Sequence, residues 1–339
     1  MSDVIPASHD PDHADASERV PSMRVAVTGS TGLVGNRLVP ALRSAGHDVL
    51  RLVRRATSAS DEVFWDPERS IIDADSLEGV DAVIHLAGVS IFGGRWTRKR
   101  KAAIRESRVS STDLLSRTLA GLDHTPRVLV STSAVGFYGS RADEILTEDS
   151  PPGDGFLAGV VRDWEAATAP AAEAGIRVVH PRFGVILAVE GGMLPLVALP
   201  FRLGLGGPLG SGSQYMSWIA LTDLVDILEY ALADDGLRGP VNAVAPEAVT
   251  NAEFSSTLAR VLGRPSFMRV PAAIMRIAAG QLADELVLAS QRVEPRRLLD
   301  QGFTFALPTL EQALRHELGR QDDQDPERRA PSLNRQRAT

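Results

Sequence analysis

The sequence predicts an α/β fold: a Rossmann-type doubly wound parallel sheet with a smaller, mostly helical C-terminal lobe. Three observations carry that prediction. Short Val-rich apolar runs alternate with longer amphipathic stretches from Met23 to Pro181, the pattern of parallel strands joined by helical crossovers. The first run, Arg24–Thr28, passes without a break into Gly29-Ser-Thr-Gly32-Leu-Val-Gly35 and then into a helical pattern. Beyond Arg182 the texture changes to Gly- and Pro-rich apolar segments followed by several further helical patterns.

The glycine turn sits between a strand and a helix, and that context turns a glycine pattern into a candidate dinucleotide site. Gly29 permits the tight turn off the strand. Gly32 lets the backbone approach a pyrophosphate with no Cβ in the way, and Gly35 lets the helix Leu33–Ala45 pack closely on the sheet. The helix N-terminus, with Thr31, Leu33 and Val34, offers unpaired N–H groups and a partial positive charge to the phosphates. The spacing is G-x-x-G-x-x-G rather than G-x-G-x-x-G. A bare glycine triplet is also found in ordinary strand-to-helix turns; the flanking elements favour the phosphate reading.

The remaining elements follow in order. Asp48–Val53 is the second strand, ending at Arg54-Arg55. An acid at this point bonds the ribose 2′-OH of NAD, whereas an arginine accommodates the 2′-phosphate of NADP. Arg54 stands there and no acid does, so NADP is preferred over NAD; the plainer reading is that two exposed arginines end a strand. Val63–Trp65 is a third strand. Asp81–Gly88 is a fourth, with Leu86, Ala87 and Gly88 at the carboxyl end, where ligands of open α/β sheets lie. Arg95–Lys101 leads into a helix over Thr97–Leu122 and reads as a solvated helix start, with a basic membrane-surface segment as the weaker alternative. Arg127–Ser131 is the fifth strand, delivering Thr132, Ser133 and Tyr138. Hydroxyls at this strand end either hydrogen-bond a substrate or cap the turn. A helix is predicted over Phe156–Ala174, with Pro170 as a breaker, and Ile176–His180 is the sixth strand.

In the C-terminal part, Gly- and Pro-rich loops run to Gly212. Trp218–Ala233 reads as a helix and Val241–Val244 as a strand. Thr250 and Glu253 form a capping box, and helices are predicted over Ala272–Gly280, Gln281–Ser290 and Thr309–Leu318. The organisation is therefore a disordered leader over 1–22, a dinucleotide-binding domain over 23–182 with a returning segment about 218–245, a substrate-side lobe over 183–217 and 246–318, and a disordered tail over 319–339.

Composition excludes other classes. The 339 residues are 44% hydrophobic and 23% charged, values of an ordinary soluble protein, and the net charge of −7 gives no footprint for nucleic acid. Without cysteine there is no disulfide, thiol nucleophile or thiolate metal site. The seven histidines are scattered, and no metal is expected. The N-terminus has no basic region followed by an apolar core, so it is not read as a secretory signal, and no stretch reads as a membrane span. The expected setting is the cytoplasm, as a monomer or homodimer, with a small-molecule substrate and neither nucleic acid nor membrane as partner.

Several motifs together support a family resemblance. They are T-G-x-x-G-x-x-G from Thr28, H-L-A-G at His85–Gly88, S-T-S-A-V-G-F-Y-G at Ser131–Gly139, G-G-P-L-G-S-G-S-Q at Gly206–Gln214, and P-x-x-L-L-x-x-G-F-x-F at Pro295–Phe305. The chain resembles extended, atypical short-chain dehydrogenases/reductases of the NAD(P)-dependent epimerase/dehydratase superfamily. More narrowly, it resembles the "epimerase family protein" branch with a C-terminal domain of unknown function. The resemblance runs from about Met23 to Leu318. It implies that Thr132, Pro181 and Arg182 join Gly29–Gly35, Arg54 and Leu86–Gly88 at the cofactor.

Two departures stand out. Redox-active members use a Ser/Thr, a Tyr and a Lys four residues later. Ser133 matches the hydroxyl, but the helix reads Phe156-Leu-Ala-Gly-Val160 where Y-x-x-x-K is expected. Tyr138 is a nearby phenol with Ala142 four residues on, and Lys101 is a distant candidate for the missing cation. Nucleotide-sugar members carry an Arg that clamps the diphosphate where this chain reads Gln214-Tyr-Met-Ser-Trp218. Two functions stay open: an NADP(H)-dependent oxidoreductase or epimerase on a small, moderately apolar substrate walled by Met193–Leu209 and Trp218, or a non-catalytic NADP(H) sensor.

Overall fold

Strand β1 (Arg24–Thr28) feeds two separate cores with alternating side chains, Val25 and Val27 into one and Ala26 into the other. A parallel strand covered on both faces needs a continuous apolar run, and this run is Val-Ala-Val. The computed structural model describes residues 22–92 and 94–320. The readings of a leader and a tail fall outside the described residues, save Ser22, Gly319 and Arg320.

On one side β1 pairs in parallel with β2 (Asp48–Val53), which pairs with β3 (Glu62–Asp66); Ile71–Ile72 adds a short antiparallel edge. On the other side come β4 (Ala82–His85), β5 (Val128–Ser131), β6 (Arg177–Phe183) and β7 (Gly239–Ala243), all parallel. The strand order is 7-6-5-4-1-2-3, a doubly wound sheet whose order reverses between β1 and β4. Helices α1 (Leu33–Ser44), α2 (Arg98–Ala120) and α3 (Phe156–Ala166) cross between strands. The lobe contributes α4 (Leu194–Arg202), α5 (Leu221–Ala233), α6 (Asn251–Leu262), α7 (Ala272–Ala279) and α8 (Leu310–Glu317). Helices α1, α5, α6 and α8 share one core with Val25, whereas Leu115 and Leu119 of α2 share the other with Ala26.

The structure departs from the sequence reading at several points, each for a local reason. Trp218–Ala220 is a strand paired with Val185–Leu187, and α5 begins at Leu221. All three of these side chains are fully buried, and a short apolar run buried all round has no periodicity to tell strand from helix. The helix expected over Phe156–Ala174 does break near Pro170: α3 ends at Ala166, and Pro170 lies in the first turn of a separate short helix, Ala169–Glu173, where its missing N–H costs nothing. The sixth strand runs on to Phe183, because β7 and Ser133–Ala134 supply partners there. The Gly- and Pro-rich segment contains α4, and the stretch expected as a helix over Gln281–Ser290 is a π-helical turn, Ala283–Val287. The capping box forms as read: Thr250 Oγ1 accepts from the Glu253 amide at 3.2 Å, and Glu253 Oε2 accepts from the Thr250 amide at 2.7 Å.

At the end of α8, Glu317 is buried with one carboxylate oxygen unpartnered. Burial, together with the charge of Glu190, pushes its pKa from 4.5 up to about 7. A carboxyl raised on folding contributes stability that is complete below its unfolded value and is lost as pH rises through the folded one. Glu317→Gln is therefore expected to be more stable than the wild type at about pH 8, with the gain shrinking to nothing near pH 4. Urea unfolding across that window checks it; a gain independent of pH contradicts the assignment.

Candidate functional site

The glycine turn lies at the carboxyl end of β1, where the strand order reverses. Gly29 adopts φ +66°, and a Cβ there would lie 2.9 Å from the Leu86 carbonyl, so glycine lets the ends of β1 and β4 meet. A Cβ on Gly35 would fall 2.4 Å from the Gly29 carbonyl oxygen. The close approach that requires Gly35 is thus helix against turn, not helix against sheet as expected. Gly32 is the exposed N-cap of α1, and a Cβ on it would meet only the Gly29 oxygen, at 3.2 Å. No side chain caps α1 and no acid stands in its first turn, so its first N–H groups remain for an anion. Thr31 is exposed beside them, Leu33 is half-buried and Val34 is buried. These features fit a pyrophosphate.

Thr28 joins the two strand ends. Its Oγ1 accepts from the Leu86 and Ala87 amides at 3.0 and 3.2 Å and lies 2.7 Å from His85 Nδ1. With those amides on its oxygen, the Thr28 hydroxyl donates to His85 Nδ1, and Nε2–H of His85 donates to Thr112 Oγ1 at 2.9 Å. Burial lowers the His85 pKa to about 4, so the ring is neutral and pins β1 and β4 to α2. Gly88, just beyond, is exposed. At the end of β2, Arg54 is exposed and has no hydrogen bond or ion pair among the described residues, whereas Arg55 is tied to Glu62 at 2.8 Å.

The hydroxyl group predicted at the end of β5 is sealed. Ser133 Oγ donates to Glu165 Oε1 at 2.6 Å, and Arg182 grips the same carboxylate through Nε at 2.8 Å and Nη2 at 2.9 Å. Arg182 Nη1 donates to the Tyr138 hydroxyl, which donates to Asn242 Oδ1 at 2.7 Å, and the guanidinium stacks 3.5 Å from the Phe137 ring centre. Burial pushes the Glu165 carboxyl upward, but the bonds and charge of Arg182 outweigh it and hold the carboxyl below the ordinary value. Burial pushes the Tyr138 phenol up against the pull of Arg182.

Two expectations are corrected here. Tyr138 is 0% exposed with its hydroxyl engaged on both sides, so it is not presented to a substrate. Arg182 is buried in the ion pair, so it is not presented to a cofactor. Pro181 is likewise interior to β6, and Thr132 donates to the His85 carbonyl at 3.0 Å.

Lys101 lies elsewhere. Its ammonium hydrogen-bonds Gln281 and sits 5.0 Å from the Phe156 ring centre. The Phe156 and Leu157 amides donate to the Glu285 carboxylate at 3.1 and 2.7 Å, so the lobe caps the N-terminus of α3. The structure thus brings the candidate cation to the phenylalanine that replaces the expected tyrosine.

A cavity of 240 Å³ opens in the lobe between α4, α6 and the turn at Leu286-Val287, and among the described residues no charged side chain lines it. It adjoins the cradle: a Cβ on Gly191 would lie 3.3 Å from Leu33 Cδ1, while Met193, two residues on, lines the cavity. Trp218, expected as a wall, is fully buried outside the lining. Tyr215 was missed as a functional candidate. It lines the cavity, and the Arg292 guanidinium lies 5.1 Å from its ring centre. In the sequence this position stood out only for the absent arginine.

Breaking the buried pair isolates the effect of its desolvation. Arg182→Met is expected to cost about 3–5 kcal/mol in urea unfolding, because Glu165 is left buried without a counter-charge. The double variant with Glu165→Gln is expected to recover part of that loss; strict additivity would show the two residues to be uncoupled.

Comparison with known proteins matches residues 25–243 to the NAD dependent epimerase/dehydratase family and residues 270–317 to a domain of unknown function, DUF1731. The chain is 46% identical over 290 residues to the epimerase family protein Mb2239 of Mycobacterium bovis, covering 86% of this chain and 96% of that one. The crystal structure of human epimerase family protein SDR39U1 (isoform 2) with NADPH is 36% identical, with a TM-score of 0.81 over 88% of this chain and 99% of that one. A nucleoside-diphosphate sugar epimerase from Corynebacterium glutamicum is 43% identical with a TM-score of 0.73; this chain spans 88% of its own length and 58% of that chain. The glycine cradle at the reversal of a parallel sheet and the matched models agree: the chain belongs to the NAD-dependent epimerase/dehydratase family, in the branch that carries the C-terminal domain of unknown function.

Proposed function

We propose that the chain binds NADP(H) over the carboxyl ends of β1 and β4 and uses it in oxidoreduction or epimerisation of a small, apolar, uncharged substrate. The observation that carries this reading is the continuity of cradle and cavity: Gly191-Gly192 lie on Leu33 of the glycine turn, and Met193 turns into an uncharged cavity. The N-terminus of α1 would hold the pyrophosphate, and Arg54, with no other partner among the described residues, the 2′-phosphate. The NADPH-bound human relative supports that preference. The nicotinamide, when bound, supplies or accepts hydride. No guanidinium or ammonium lines the cavity, which disfavours a diphosphate-linked substrate. Phe156 cannot donate a proton and Ser133 and Tyr138 are sealed, so among the described residues the Tyr215 hydroxyl and Lys101 are the candidates we favour for the substrate oxygen.

That same sealing favours a second reading, an NADP(H) sensor without turnover. Titration with NADPH and NADH by cofactor fluorescence, followed by a screen of apolar carbonyl compounds for NADPH oxidation, separates the two. Oxidation matched by product supports the enzyme; tight binding with no turnover across the panel supports the sensor.

Gly32→Ala is expected to fold as the wild type, since its methyl meets only one backbone oxygen, yet to lose NADPH affinity by about tenfold or more as that methyl meets the pyrophosphate. Unchanged affinity would remove the phosphate assignment. Arg54→Asp is expected to weaken NADPH by about 10–100-fold and to leave NADH little changed, through loss of a charge-assisted contact. Equal losses for both cofactors would remove the 2′-phosphate role.

A further inference from the structure

The cavity opens through an apolar rim. Leu196 and Leu205 line it and are 62% and 53% exposed; Leu199 and Leu203 continue the outer face of α4. Phe267, 70% exposed, precedes Met268, whose amide donates to the Gly206 carbonyl, so this loop lies beside Leu205. Helix α7 reads Ala-Ala-Ile-Met-Arg-Ile-Ala-Ala, yet none of its residues is buried, and Ile277 is 74% exposed. It stands between Val270 and Leu286, which both line the cavity. Scattered exposed leucines are ordinary, but an apolar helix with no buried residue beside a cavity mouth marks a surface that meets something apolar.

Charge identifies what it meets. The chain carries 43 acids, yet residues 191–222 and 254–283, which supply this rim, contain none. Arg202 ends α4, and Arg264 and Arg269 flank Phe267 and Met268. All three are exposed, and none has an ion pair among the described residues, while Arg276 of α7 pairs with Asp284. A second copy seated face to face on this rim would set arginines against arginines. An anionic lipid surface offers both what the leucines and what the arginines lack.

We infer that this rim docks on an anionic membrane surface, with the cavity mouth turned toward the lipid. No described helix is long and apolar enough to cross a membrane, so the contact is peripheral. Docking is a property of this surface and stands whether or not the cavity turns a substrate over. Where the proposed function holds, it makes that substrate a lipophilic molecule taken from the bilayer.

The test is co-sedimentation of the full chain with vesicles of equal parts phosphatidylglycerol and phosphatidylcholine, against pure phosphatidylcholine, without cofactor. We expect roughly tenfold tighter binding to the anionic vesicles, weakened by salt. Leu203→Glu with Phe267→Glu should lower it roughly tenfold, and Arg264→Gln with Arg269→Gln should remove the preference for phosphatidylglycerol. These positions are exposed, so thermal unfolding is expected to match the wild type. If the wild type fails to bind, or binds both vesicles alike, the proposal is overturned. Concentration-dependent dimerisation abolished by Phe267→Glu, without vesicle binding, would reassign the rim to self-association. NADPH titration of the same samples reports on the cofactor reading separately.

Discussion

The buried ion pair of Glu165 and Arg182 sets the terms for the rest of the site. Taking both charges out of water is costly, and the cost is offset only by close geometry and by partners for the remaining donors and acceptors. Here the guanidinium grips the carboxylate twice, Ser133 and Tyr138 take further positions, and Phe137 covers the plane. Asn242 of β7 closes the chain. One network therefore fixes α3, the turn after β5, β6 and β7 relative to one another. The same bonds that hold the sheet's far half also occupy the Ser133 and Tyr138 hydroxyls.

The glycine turn and the sealed hydroxyls are thereby separate parts of the structure. The cradle is made of backbone: Gly29 meets Leu86, Gly35 meets Gly29, and α1 presents N–H groups that nothing caps. It needs no side-chain functional group to hold an anion. Polar side chains outside the sealed network come from other elements, among them Tyr215 in the cavity lining and Lys101 beside Phe156. The lobe takes part directly, since Glu285 caps α3 and Gln281 holds Lys101.

The sheet was legible because strands such as β1, β2 and β5 are short runs rich in Val and Leu, and the glycine turn was legible because its spacing is local. The elements that differ from the sequence reading share one cause. Trp218–Ala220 and α4 are short apolar segments buried or exposed by their neighbours, with too few residues to show a period. Tyr138 enters as the phenol nearest in sequence to the missing tyrosine and Arg182 through the family resemblance, and only packing reveals that they face one another. Tyr215 was overlooked for the converse reason: nothing in its neighbours along the chain announces that α4 and α6 leave space in front of it.

The sequence by itself determined the winding of the sheet, the place of the glycine turn and the absence of a Tyr-x-x-x-Lys pair. Each depends on residue type within a few positions, and backbone geometry converts such local patterns directly into structure. Only the tertiary structure decided which polar groups are spent and which are free. Whether a serine, arginine or tyrosine can act depends on partners that lie tens of residues away, and burial and hydrogen-bond geometry, not residue identity, assign those partners.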